Sequence, residues 1–82
     1  MSVSEINERV EAGIIFGKGM PRPKWFAWKG KRIEVQSVNY TWNTVEGEAI
    51  LLHFSLTAEG GNYELSFNQK TLQWVLEKTE VE

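Results

Sequence analysis

Apolar and polar residues alternate at a period of two through most of this chain, and the alternation resumes after each glycine- or asparagine-bearing turn. Strands of this kind bury one face, and a slip of one residue would turn the whole apolar set outward, so the pattern constrains pairing as well as strand type. Phe26 and Trp28 precede Lys29-Gly30-Lys31-Arg32 and Ile33 and Val35 follow, which predicts a four-residue loop with Trp28 opposite Ile33 and Phe26 opposite Val35. Val38, Tyr40 and Trp42 lead into a loop over 43–47, pairing Tyr40 with Ile50 and Val38 with Leu52. Gly60-Gly61 reads as a two-residue turn, because glycine takes the positive φ of primed turns, and it pairs Leu56 with Leu65 and Phe54 with Phe67. Asn68-Gln69-Lys70-Thr71 closes a last hairpin, setting Phe67 against Leu72, Leu65 against Trp74 and Tyr63 against Leu76.

The inward parity is odd at Ile33 and Val35 but even at Val38, Tyr40 and Trp42, so an extra residue near Gln36-Ser37 is expected. A bulge there bends the strand, and bent strands shared by two hairpins are how small sheets curl toward closure. The expected fold is all-β, an antiparallel meander of five or six strands curled into a roll or small barrel. Residues 4–16 admit a short amino-terminal helix, since Ser2 with Glu5 makes a capping box, or a strand, since Val10, Ala12, Ile14 and Phe16 alternate. The strand is preferred, because Gly13 weakens a helix and Ile14-Ile15-Phe16 favours β structure. At 82 residues the chain is read as one domain, 1–82, with a β-meander core over 21–78 and an amino-terminal segment over 1–20. Gly17, Gly19, Pro21 and Pro23 suggest an irregular connection, and 79–82 a fraying end.

The composition removes much chemistry. There is no cysteine and no aspartate, and His53 is the single histidine. Disulfides, thiolate zinc sites, iron–sulfur clusters and cysteine nucleophiles are therefore excluded, and no metal or cofactor is expected. Residues 1–16 carry three acids and one base, the reverse of a secretory leader, and no apolar run approaches the ~18 residues of a membrane span. A cytoplasmic protein with no membrane partner is expected.

His53 falls on the face opposite Leu52 and Phe54, with Ser37 on one side, Asn68 on the other and no adjoining carboxylate, which reads as a surface histidine rather than a relay. Glu46, Glu48, Glu59, Glu64, Glu77, Glu80 and Glu82 sit at turns, on the outer face or near the end, as solvated charges do. Gly17-Lys18-Gly19 lacks the spacing and the following helix of a phosphate-binding loop. Ser37, Asn39, His53, Ser55, Ser66, Asn68 and Gln73 share an uncharged outer face that fits either a partner or plain solvent.

The charge distribution is more informative than the net −2. Residues 1–16 sum to −2, 17–33 to +6 and 34–82 to −6, with Lys18, Arg22, Lys24, Lys29, Lys31 and Arg32 forming the basic block. Bases interleaved with aromatic rings are the ingredients of a single-strand nucleic-acid platform. Phe26, Trp28, Trp42 and Trp74 have core parity, whereas Trp25 points outward beside Lys24 and is the spare aromatic, unless residues 1–16 fold over it.

The run Pro21-x-Pro23-x-x-Phe26-x-Trp28-x-Gly30-x-Arg32-x-x-Val35, followed by Trp42, Tyr63-Glu64-Leu65 and Trp74-x-Leu76, resembles a family of short bacterial all-β domains of uncharacterised function, over residues 21–76. The resemblance implies a fold rather than an activity and brings no catalytic residues. Related domains associate with genes for DNA-repair polymerase accessories, which implies a nucleic-acid or repair-protein partner. The chain departs from the family at 43–47, a shorter loop. The favoured expectation is a non-catalytic module binding single-stranded nucleic acid or another polyanion through Lys18, Arg22, Lys24, Trp25, Lys29, Lys31 and Arg32. The alternative is a protein–protein interaction domain using an open strand edge, and a small hydrolase comes third.

Overall fold

The computed structural model describes residues 2–17 and 19–81, the side chains of Ser2, Met20 and Val81 excepted. Six strands follow one another: β1 (Ser2–Gly17), β2 (Met20–Trp28), β3 (Lys31–Glu46), β4 (Ala49–Ala58), β5 (Gly61–Asn68) and β6 (Gln73–Val81). Each pairs antiparallel with the next, and β1 returns to β6 to close an uneven ring. The fold is thus an all-β meander closed into a small barrel. The amino-terminal segment is a strand, not a helix, and belongs to the ring. Its first half pairs with β6, Ser2 through Val10, and its second half with β2, Glu11 through Gly17. Of the expected fraying end, Thr79 to Val81 belong to β6, where Thr79 is buried opposite Tyr63, and Glu82 lies outside the described residues.

Alternation fills the interior as the pattern demands. Leu52, Phe54, Leu56 and Ala58 of β4, Tyr63 and Leu65 of β5, Trp74 and Leu76 of β6, Phe26 of β2 and Ile33 of β3 form one core cluster. Ile6, Val10, Ala12 and Ile14 of β1 pack against it, half-buried. Phe26 meets Tyr63 edge-on with ring centroids 5.1 Å apart, and Trp74 lies between Phe54 and Phe67. The Tyr63 hydroxyl donates to the Glu59 carbonyl at 3.0 Å, pinning the β4–β5 turn.

At the β2–β3, β4–β5 and β5–β6 hairpins the registers differ from expectation by two residues, so inward faces survive while partners change. Lys29-Gly30 alone turns β2 into β3, with both residues at positive φ, and Phe26 faces Ile33 while Trp28 faces Lys31. The β4–β5 turn is Glu59-Gly60, not Gly60-Gly61, and pairs Leu56 with Tyr63 and Phe54 with Leu65. The last loop runs over 69–72, where Asn68 Oδ1 accepts from the Lys70 and Thr71 amides. That places Phe67 against Trp74, and Leu72, expected in the core, is exposed at φ 62°.

The larger correction concerns β3. The expected bulge between Val35 and Ser37 is present, but a second one lies between Val38 and Tyr40. It reverses the parity again, so Tyr40 and Trp42 leave the core and face Ser55 and His53. Tyr40 is 72% exposed. Residues 43–46, expected in a loop, continue the strand to a tight turn at Gly47-Glu48, pairing Val45 with Ile50.

Pro21 and Pro23 lie in β2 rather than in a connection, and they explain why the ring is uneven. Gly17 and Met20 bracket the β1–β2 turn, so alternate pairs beyond it, Phe16 with Pro21 and Ile14 with Pro23, are non-hydrogen-bonded and aim their backbone groups away from β1. The two ring nitrogens therefore face β3 with no N–H to donate. The β2–β3 ladder stops at Trp25 opposite Glu34, and beyond it the strands separate around a depression of about 340 Å³.

Candidate functional site

The depression is lined by Ile15 and Gly17 of β1, Arg22, Pro23 and Lys24 of β2, and Val35 to Val38 of β3. A bulge at Lys24 shapes its rim: Gly13 pairs with Trp25 and Ile14 with Pro23, leaving Lys24 without a partner in β1. Pro21, Pro23 and Phe26 consequently turn inward while Arg22 and Lys24 turn to solvent. Among the described residues neither Arg22 nor Lys24 is in an ion pair.

The other bases are engaged locally. Arg32 stacks on the Trp25 indole, 4.4 Å from the ring centroid, while its Nε donates to Glu34 at 2.7 Å. Lys29 lies over Trp28 at 4.7 Å, and Lys31 reaches Glu59 at 3.9 Å. Lys18 lies outside the described residues. Trp25, expected as an exposed aromatic, is half-buried because the indole lies directly against Gly13 of β1. Trp28 is also half-buried, its Nε1–H donating to Glu8 at 2.8 Å. The structure thus brings Arg22, Lys24, Trp25 and Arg32 together on the outer face of β2 and β3, with Lys29 and Lys31 at the end of the barrel around the β2–β3 turn.

A second constellation was not visible in the sequence. His53 is 8% exposed, not a surface residue, and its neighbours are Trp42 and Ser66 rather than Ser37 and Asn68. The Trp42 indole stacks on the imidazole at 5.1 Å and 8°. Thr44 Oγ1 lies 2.7 Å from Nε2, and Glu64 Oε2, a carboxylate where none was expected, lies 3.6 Å from Nδ1. Beside it Ser66 donates to Glu77 at 2.6 Å. Hydroxyl, imidazole and carboxylate in that order resemble a nucleophile relay, but the indole covers the ring and Nδ1 has no hydrogen bond, Glu64 lying beyond reach at 3.6 Å, so the imidazole lacks the orienting acid a relay needs. No residue in the sequence signals it: the bulge at Asn39 that turns Trp42 onto His53 has no mark in the alternation.

Among the described residues no three metal-ligating side chains cluster, and no helix is long and apolar enough to cross a membrane. No protein-family description, curated protein or solved structure matches this chain.

Proposed function

We propose that the chain is a non-catalytic binding module that takes up single-stranded nucleic acid or another polyanion on the outer face of β2 and the start of β3. The observation that carries this reading is the pairing of two exposed cations, Arg22 and Lys24, which have no acidic partner among the described residues, with a depression whose walls include Ile15, Val35 and Val38. Phosphates meet the cations while a planar base covers the apolar wall, and Gln36 and Ser37 offer hydrogen bonds beside it. Arg32 adds a guanidinium already held over the Trp25 ring, a group on which a base can stack. Burial of His53 under Trp42 supports the non-catalytic part.

Fluorescence anisotropy with a short labelled single strand, at two salt concentrations, tests the reading. Arg22→Glu with Lys24→Glu is expected to abolish binding at moderate salt, and the salt slope is expected to fall by ~0.7 for each phosphate that the variant no longer neutralises. Binding that is absent at low salt, or unchanged in the double variant, rejects it. In that event a protein partner, with its flatter salt dependence, becomes the better account.

A further inference from the structure

The free flank of β3 points to a partner of another kind. Beyond Val35 this strand has β4 on one side and, among the described residues, no strand on the other. Continuing the β2–β3 register would set Met20, the first residue of β2, opposite Asn39, so even a complete ladder would leave Thr41 onward without a neighbour. Glu46 and Ala49 bracket the β3–β4 turn and form a hydrogen-bonded pair, which makes Val45–Ile50, Asn43–Leu52 and Thr41–Phe54 non-hydrogen-bonded. The Ile50 carbonyl agrees with this phase, because it accepts from the Gln69 amide on the β5 side. Thr41, Asn43 and Val45 therefore aim their N–H and C=O groups away from β4, into the space alongside the strand.

Natural sheets blunt such edges with lysine, proline or inward charge. Here Gln36 to Val45 contains none of these, both bulges of β3 lie before Tyr40 and so leave Thr41 to Val45 regular, and Tyr40, Val45 and Ile50 are exposed around the edge. Unprotected edges of this composition serve strand addition.

We infer that this edge pairs with the same edge of a second copy, forming a two-fold dimer centred on Asn43. An antiparallel β3–β3′ ladder in that register opposes Thr41 to Val45 and Asn43 to Asn43, so all three residues with free backbone groups find partners. On the outer face it sets Trp42 across from Thr44 and Glu46 across from Tyr40, so no like charges are opposed. A two-fold axis through Asn43 also brings the two carboxamides together, where each can donate to the other. The resulting sheet runs without a break from β6 of one copy to β6 of the next. This interface is independent of the basic face.

Sedimentation equilibrium of the purified chain across a wide concentration range tests the inference. A species of twice the 9.4 kDa chain mass is expected for the wild type. Asn43→Pro removes an N–H that the barrel itself does not use, so it is expected to leave the far-ultraviolet spectrum unchanged and to weaken association by more than about tenfold. Asn43→Lys, which opposes two lysines across the axis, is expected to do the same and stands in should the proline variant misfold. A wild-type chain that stays monomeric at millimolar concentration, or an Asn43→Lys variant that associates like the wild type, overturns the proposal.

Discussion

Gly13 and Trp25 offer a test of how β1 closes over the basic face. A Cβ built on Gly13 overlaps the Trp25 indole, and the same ring carries the Arg32 guanidinium 4.4 Å from its centroid. A shift of the ring away from the new methyl group disturbs that contact, worth about 0.5–1 kcal/mol at an exposed site, and intrusion of a methyl group into a packed contact costs about 1–3 kcal/mol. Gly13→Ala is therefore expected to destabilise by about 1–3 kcal/mol, with about 4–8 °C of melting temperature for each kcal/mol in a domain of this size. Trp25→Ala, which empties a half-buried site, is expected to cost about 2 kcal/mol. In the double variant the methyl group has room, and alanine is favoured over glycine inside a strand by about 0.5 kcal/mol, so the pair should be no less stable than Trp25→Ala alone. Urea titrations followed by far-ultraviolet circular dichroism give the four corners of the cycle. Strict additivity of the two substitutions would refute the contact and leave Trp25 uncovered.

Trp74→Ala is expected to cost about 3–5 kcal/mol in the same assay, because the indole is buried between Phe54 and Phe67, whereas Trp28→Phe loses chiefly the hydrogen bond to Glu8 and should cost about 0.5–1.5 kcal/mol. Equal losses would refute the different burial of these two side chains. Burial, and secondarily the charge of Glu59, raises the Tyr63 phenol above its ordinary value of 10.0. The folded state thus holds this proton more tightly than the unfolded chain, its contribution is intact below pH about 10, and it is lost as pH rises through the folded value. Tyr63→Phe should flatten that alkaline decline in melting temperature; an identical decline in the variant would place its origin elsewhere.

The all-β class and the inward residues other than Tyr40, Trp42 and Leu72 were legible because a period of two survives any even error in register. The errors arose where one residue decides a turn. Lys29 adopts φ 54° beside Gly30, so two residues suffice where four were expected, and nothing in a lysine advertises that conformation. Asn39 is equally silent, yet its bulge moves Tyr40 and Trp42 from core to surface and thereby buries His53. Of the candidate site, the basic residues were readable from charge alone, and the proline pair was visible but assigned to a loop. Its effect, a ladder that stops and a depression in its place, follows only once the phase of hydrogen bonding along β2 is known.

The return of β1 to β6 gives the ring a seam. Five of the six ladders join strands adjacent in sequence, so the connecting turn keeps each pair together even when its bonds break. The sixth joins Ser2 to Val81 across almost the whole chain and is interrupted between Glu5 and Glu8, where Asn7 takes φ 53°. Separation there needs no hairpin to come apart, and it uncovers Leu76 together with the half-buried Ile6 and Val10. Closing it again carries the largest loop entropy of any pairing in the fold. Thermal breathing of this barrel is thus concentrated along one line, and amides of β1 and β6 should exchange with solvent ahead of those in β4 and β5.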